Sequence, residues 1–91
     1  MNLQFKRRAL RHLDFHRHIA KDDPGAAKRV IEKIAHSVGR LLIMPFSAPP
    51  GVVKGTRLLV VPGLPYIVVH RVRGDKIEIL AVLHTARRRR S

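Results

Sequence analysis

The sequence predicts an α+β fold in which an antiparallel helix hairpin packs on a three- to four-stranded antiparallel sheet. Apolar residues recur at helical spacing in the first half of the chain. Beyond Gly55, three runs rich in Val, Ile and Leu are separated by short turns, which is typical of an antiparallel meander. The 91 residues predict one small domain, residues 1–91, with no room for a deep substrate cavity.

The first half of the chain predicts a short strand followed by two helices. Leu3 and Phe5 alternate with polar residues, which favours a strand, and helical spacing of apolar residues then predicts a first helix over residues 7–21. Asp23 can accept hydrogen bonds from the free amides of a following helix, and Pro24 suits its first position. The short break between the helices therefore predicts a helix hairpin.

The second helix shows the clearest apolar stripe, and a proline at position 45 ends it. Strands are predicted over residues 57–61, 66–72 and 76–83. In the last two strands both alternating sets are largely apolar, so we expect helices to cover one face of the sheet and a bound partner to cover the other. The side chains expected to be buried between helix and sheet are Ile34, Val38, Leu42, Val68 and Ile79.

The charge of the chain predicts an anionic partner. Nineteen Lys and Arg residues against six Asp and Glu give a formal net charge of +13, which attracts nucleic acid or an acidic protein segment. There are no cysteines, which excludes disulfides and thiol chemistry and fits a reducing cytoplasm. The apolar runs are too short or too interrupted to span a bilayer, so we expect a cytoplasmic protein without membrane contact.

Three segments in order carry a family resemblance. They are IAKDDPGAA at 19–27, GTRLLVV at 55–61 with PYIVV at 65–69, and ILAVLH at 79–84 followed by Ala86 and Arg87. With these segments, and with the order strand, helix, helix, meander, nearly the whole chain resembles the RelE/ParE family of bacterial toxins. The resemblance implies the toxin of a type II toxin–antitoxin module, which binds a cognate antitoxin as a hetero-oligomer. Its target would be either DNA gyrase or ribosome-bound mRNA.

Cleavage of mRNA without a metal would need a base, an acid and cations around the phosphate. His84 could supply the titrating group, while Arg87 and Arg57 could hold the phosphate. The structural alternative is a strand-end histidine bonded to a backbone carbonyl, with solvated arginines. These three residues are the candidate catalytic set if the protein is RelE-like.

Comparison with the RelE-like branch favours the other mechanism. In that branch the tyrosine opening the second sheet strand is commonly followed by arginine, whereas Tyr66 is followed by Ile67. The preceding strand there carries lysines where this chain has Leu58 and Val60, and only Arg87 matches the terminal basic position. The sequence therefore favours ParE-like gyrase inhibition and leans against an enzyme. The candidate target-binding residues are Arg87, Arg88, Arg89 and Arg90.

Metal binding and nucleic-acid binding are two other functions that the sequence could support. His12 and His16 lie one helical turn apart and could share a metal, but no third ligand is evident, so we expect neither metal nor cofactor. A different class of function also fits the charge, a non-toxic basic module that binds nucleic acid. Such a module would need no antitoxin, so its behaviour on co-expression would separate it from a toxin.

Overall fold

The computed structural model describes residues 1–19 and 23–85, with the side chains of residues 1–15 and 23–85. It confirms the α+β fold and the predicted order of elements. Two helices and a short 3-10 turn over Arg40–Leu42 accompany a four-stranded sheet. The elements are β1 (Asn2–Phe5), α1 (Arg7–Ile19), α2 (Pro24–Gly39), β2 (Arg57–Val60), β3 (Tyr66–Arg73) and β4 (Lys76–His84).

The sheet has the strand order β1-β4-β3-β2. Strands β2, β3 and β4 form the predicted antiparallel meander, but β1 pairs with β4 in parallel, so the sheet is mixed. The expectation of an antiparallel sheet was therefore wrong for β1. Tight turns force neighbouring strands to run antiparallel, and no tight turn joins β1 to β4.

The start of α2 confirms the predicted cap. The Asp23 carboxylate accepts a hydrogen bond from the Ala26 amide at 3.1 Å, and Pro24 occupies the first turn, where its missing amide costs nothing. The predicted end of α1 at Lys21 lies outside the described residues. Within them, no helix is long and apolar enough to cross a membrane.

The core lies between α1, α2 and one face of the sheet. Ile34, Val38, Val68 and Ile79 are buried there as predicted, each at most 1% exposed. Leu42 was expected among them and is 44% exposed. The reason is local: after α2 the chain tightens into the 3-10 turn, which has three residues per turn instead of 3.6, so the stripe shifts. The neighbouring Leu41 is buried in its place.

Candidate functional site

His84 lies at the end of β4, packed against an aromatic ring. It faces Tyr66 across the β3–β4 pair, and the two rings meet edge to face with centroids 5.2 Å apart. The His84 Nδ1 atom is buried without a hydrogen-bond partner among the described residues. The side chain is therefore a packed ring at the strand end, and only part of it reaches solvent.

Arg57 fixes a loop to the sheet. Its guanidinium donates hydrogen bonds to the carbonyl oxygens of Phe46 at 3.1 Å and Ala48 at 2.7 Å. The same group lies over the Phe46 ring, 5.2 Å from its centroid. Because its Nη1 atom donates to both carbonyls, Arg57 has a structural role that the sequence did not indicate.

The structure does not bring Arg57 and His84 together. On β3, Arg57 pairs with His70 while His84 pairs with Tyr66. Tyr66 and His70 are four positions apart, about 13 Å along the strand, and β2 and β4 flank β3 on opposite sides. A phosphate held at one of the two side chains would not reach the other. The remaining predicted site residues, Arg87, Arg88, Arg89 and Arg90, lie outside the described residues.

The other face of the sheet carries a buried carboxylate surrounded by cations. Glu78 is 4% exposed, and its Oε1 atom accepts a 2.6 Å hydrogen bond from Arg71 Nε. Lys6 and Arg73 lie 3.6 and 3.9 Å from the carboxylate. The bond from Arg71, with the three positive charges, holds the pKa of Glu78 below its usual value despite burial. This cluster links β3 and β4 to each other and to Lys6, the residue that follows β1.

Sequence reasoning missed this cluster, although the hairpin turn contains the signal for it. Gly74 has a positive φ of 61°, and the two-residue turn at Gly74 and Asp75 pairs Arg73 with Lys76. Counting outward from that pair places Arg71 opposite Glu78. Opposite charges in such a cross-strand pair attract each other.

His12 joins α1 to the sheet edge that β1 leaves open. Strand β1 stops at Phe5, opposite Ile79, and further along β4 the Val82 amide donates a 3.0 Å hydrogen bond to His12 Nδ1. The acceptor nitrogen must be unprotonated, so the ring is neutral. Burial, followed by the charges of Arg8 and Arg11, lowers the pKa of His12 below its usual value. The side chain of His16, which was considered with His12 as a metal ligand and not predicted to be one, lies outside the described part of the chain.

A second histidine is held neutral in the core. His70 is 0% exposed, its Nδ1 atom lies 3.4 Å from the Val68 carbonyl oxygen, and its Nε2 atom has no partner among the described residues. Burial lowers its pKa, the contact with the Val68 carbonyl opposes this shift, and the charge of Arg57 reinforces it. Groups of three or more metal-ligating side chains are also absent from the described part of the chain.

Because folding lowers the pKa of both His12 and His70, we expect the protein to lose stability in mild acid. A histidine whose pKa is lowered by folding contributes stability above its unfolded pKa, about 6.5, and that contribution is lost as the pH falls through the folded pKa. We expect the midpoint temperature of thermal unfolding to decrease when the pH is lowered from 7.5 to 5.5. His12→Asn should reduce the pH dependence, because the amide oxygen can accept the Val82 bond without titrating. An unchanged slope in this variant would show that His12 does not contribute.

The loop between α2 and β2 exposes many apolar side chains. We call residues 42–53 the apolar loop. Backbone hydrogen bonds from Gly51 to Thr56, from Thr56 to Val53 and from Leu58 to Pro49 hold its far end against β2. A Cβ atom at Gly51 would lie 2.5 Å from Thr56 Oγ1, so the backbone packs closely there. The exposed members are Leu42, Ile43, Met44, Phe46, Val52 and Val53, at 44–88% exposure.

The sequence of this chain is similar to those of bacterial toxins. The family model of the ParE toxin of the type II toxin-antitoxin system, parDE, matches residues 3–89. "Putative toxin Y4kP" of Sinorhizobium fredii (strain NBRC 101917 / NGR234) is 47% identical over 78 residues, 85% of this chain and 80% of that protein.

A solved structure extends the likeness to the fold. The structure described as "Chromosomal ParDE TA system from P. aeruginosa" superposes with a TM-score of 0.81 at 27% identity, covering 92% of this chain and 95% of that one. The protein is therefore a toxin of a type II toxin–antitoxin system. It belongs to the ParE toxin family.

Proposed function

We propose that this toxin arrests growth by binding and inhibiting DNA gyrase in the cytoplasm, and that it does not cleave mRNA. The observation that supports the proposal is the separation of the candidate catalytic residues. Arg57 is engaged with loop carbonyls, and His84 lies about four residues further along the sheet on the opposite side of β3. Metal-free RNA cleavage needs an acid, a base and phosphate-binding cations around one phosphate.

The apolar loop supports the second part of the proposal, neutralisation by a cognate antitoxin. Surface loops usually carry polar side chains, and an apolar surface of this kind marks a binding site. Because the hydrogen bonds of Arg57 hold the loop in place, docking on it requires little ordering. The net charge of +13 favours an acidic partner. We therefore expect an acidic antitoxin segment with apolar anchors to bind here.

The mechanism can be tested by inducing single variants and measuring growth. His84→Phe keeps a ring against Tyr66 but cannot titrate, so gyrase inhibition predicts that the variant stays toxic. Arg87→Ala and Arg88→Ala should weaken toxicity partially and cumulatively, because each removes one electrostatic contact with the target. If His84 served a chemical step, its loss would cost about a hundredfold or more in rate.

Two further readouts complete this test. Gyrase inhibition predicts that a DNA-damage response precedes translation arrest after induction. Mapping of mRNA ends should show no new cleavage within codons. Discrete new 5′ ends that Arg87→Ala abolishes, while circular dichroism shows that variant folded, would contradict the proposal and establish an endoribonuclease.

A further inference from the structure

Three basic side chains on one face of α2, continued by Arg40 of the following 3-10 turn, form a line that the proposed function does not use. Their spacings of four, three and four residues place them on one side of a helix with 3.6 residues per turn. At about 1.5 Å per residue, the line extends about 16 Å along the helix axis. All four are exposed. They are Arg29, Lys33, His36 and Arg40.

This line forms one wall of an open groove of about 370 Å³ that we call the cationic groove. Pro62, in the turn between β2 and β3, lies across from α2, and the buried Ser37 also lines the groove. Glu32 also lines the groove, and its carboxylate lies 3.9 Å from Lys28, which offsets part of its charge. Within the part of the chain that the structure describes, no carboxylate pairs with the four basic side chains of the groove.

We propose that the cationic groove binds the phosphate backbone of double-stranded DNA. A strand of duplex DNA carries one phosphate per 3.4 Å of axis, so about 16 Å of helix matches the rise of about five phosphates. Cationic side chains that approach phosphates release condensed counterions, and this release supplies most non-specific affinity. The net charge of +13 attracts the polyanion over a longer range.

The lining of the groove favours duplex DNA over other anions. Single strands are held largely by stacking on aromatic rings, and no Phe, Tyr or Trp side chain lines this groove among the described residues. A docking peptide needs apolar anchors, and Pro62 is the single apolar residue lining it among the described residues. Duplex RNA is recognised through its 2′-hydroxyls, and Ser37, the neutral hydroxyl here, is buried. A row of cationic side chains needs no partner group other than phosphates, which duplex DNA presents along its whole length.

This inference goes beyond gyrase inhibition and does not depend on it. Backbone contacts carry no sequence information, so the groove should bind unrelated duplexes equally well. It would hold the toxin on DNA wherever its target or its partner acts. DNA binding can be measured without gyrase or antitoxin, so its failure would leave the proposed function untouched.

The test uses fluorescence anisotropy to measure how the binding of the full chain to a labelled 20-base-pair duplex depends on salt concentration. Each phosphate contact contributes about 0.9 to the slope of log K against log salt concentration. Replacing Arg29, Lys33 and Arg40 by alanine should reduce the magnitude of this negative slope by about 2.7. The matched control replaces Arg7, Arg11 and Lys54, two arginines and one lysine exposed elsewhere, and should change the slope by less than one.

Two results would overturn the proposal. Equal losses in the two triple variants would mean diffuse attraction to the whole basic surface, with no particular groove. Loss of antitoxin affinity in the groove variant, with DNA affinity intact, would identify an acidic protein segment as the occupant. Circular dichroism and thermal unfolding check that both variants fold, which we expect because all six side chains are exposed.

Discussion

Replacing Ile79 by alanine is expected to lower the free energy of unfolding by about 2–5 kcal/mol, a large part of the total for a small domain. Ile79 is 0% exposed in the centre of β4, and the cavity left by its side chain could not collapse without moving the helices. Ile34→Ala, on the facing side of α2, should have an effect of the same size, because Ile34 is 1% exposed in the same core cluster.

The chain offers a matched control of the same residue type. Ile43 is 82% exposed in the apolar loop, so Ile43→Ala should change stability by no more than about 0.5 kcal/mol. Urea unfolding followed by circular dichroism measures all three variants. An unchanged midpoint for Ile34→Ala or Ile79→Ala would contradict the packing of α2 on the sheet.

The fold was largely predictable because local signals specify most of it. The turns at Gly63 and Gly74, both with positive φ, separate the strands of the meander, and Asp23 with Pro24 marks the start of α2. The direction of β1 was not predictable from turns, because its pairing with β4 is decided by contacts distant in sequence. The exposure of Leu42 depends on a 3-10 turn that periodicity alone does not reveal.

The candidate site was less predictable, because side-chain roles depend on neighbours distant in the sequence. Arg57 was a candidate phosphate ligand by residue type, yet it donates to carbonyls nine and eleven residues away. His12 was considered as a metal ligand, and its Nδ1 accepts a hydrogen bond from an amide seventy residues away. The four basic residues of the cationic groove could be placed on one helix face from spacing alone. Their groove, however, also requires the β2–β3 turn.

The exposed side chains of the apolar loop are expected to contribute strongly to the affinity for the antitoxin. Ile43→Ala should weaken binding of the cognate antitoxin about tenfold to a hundredfold, about 1.4–2.8 kcal/mol, because buried apolar anchors dominate interface energetics. Val52, 88% exposed in the same loop, should behave similarly. Because neither side chain packs within the toxin, the loss would belong to the interface and not to the fold.

Isothermal titration of the toxin with its antitoxin, at two salt concentrations, measures this effect. Affinity should weaken only moderately with salt, since apolar burial shares the binding energy with charge attraction. Leu10→Ala is the matched control, an apolar side chain 52% exposed on α1, away from the apolar loop. If Leu10→Ala weakened binding and Ile43→Ala did not, the antitoxin would dock on α1 and the proposed surface would be wrong. Loss of all binding at moderate salt would instead mean that charge alone holds the antitoxin, leaving the exposed apolar loop without a role in neutralisation.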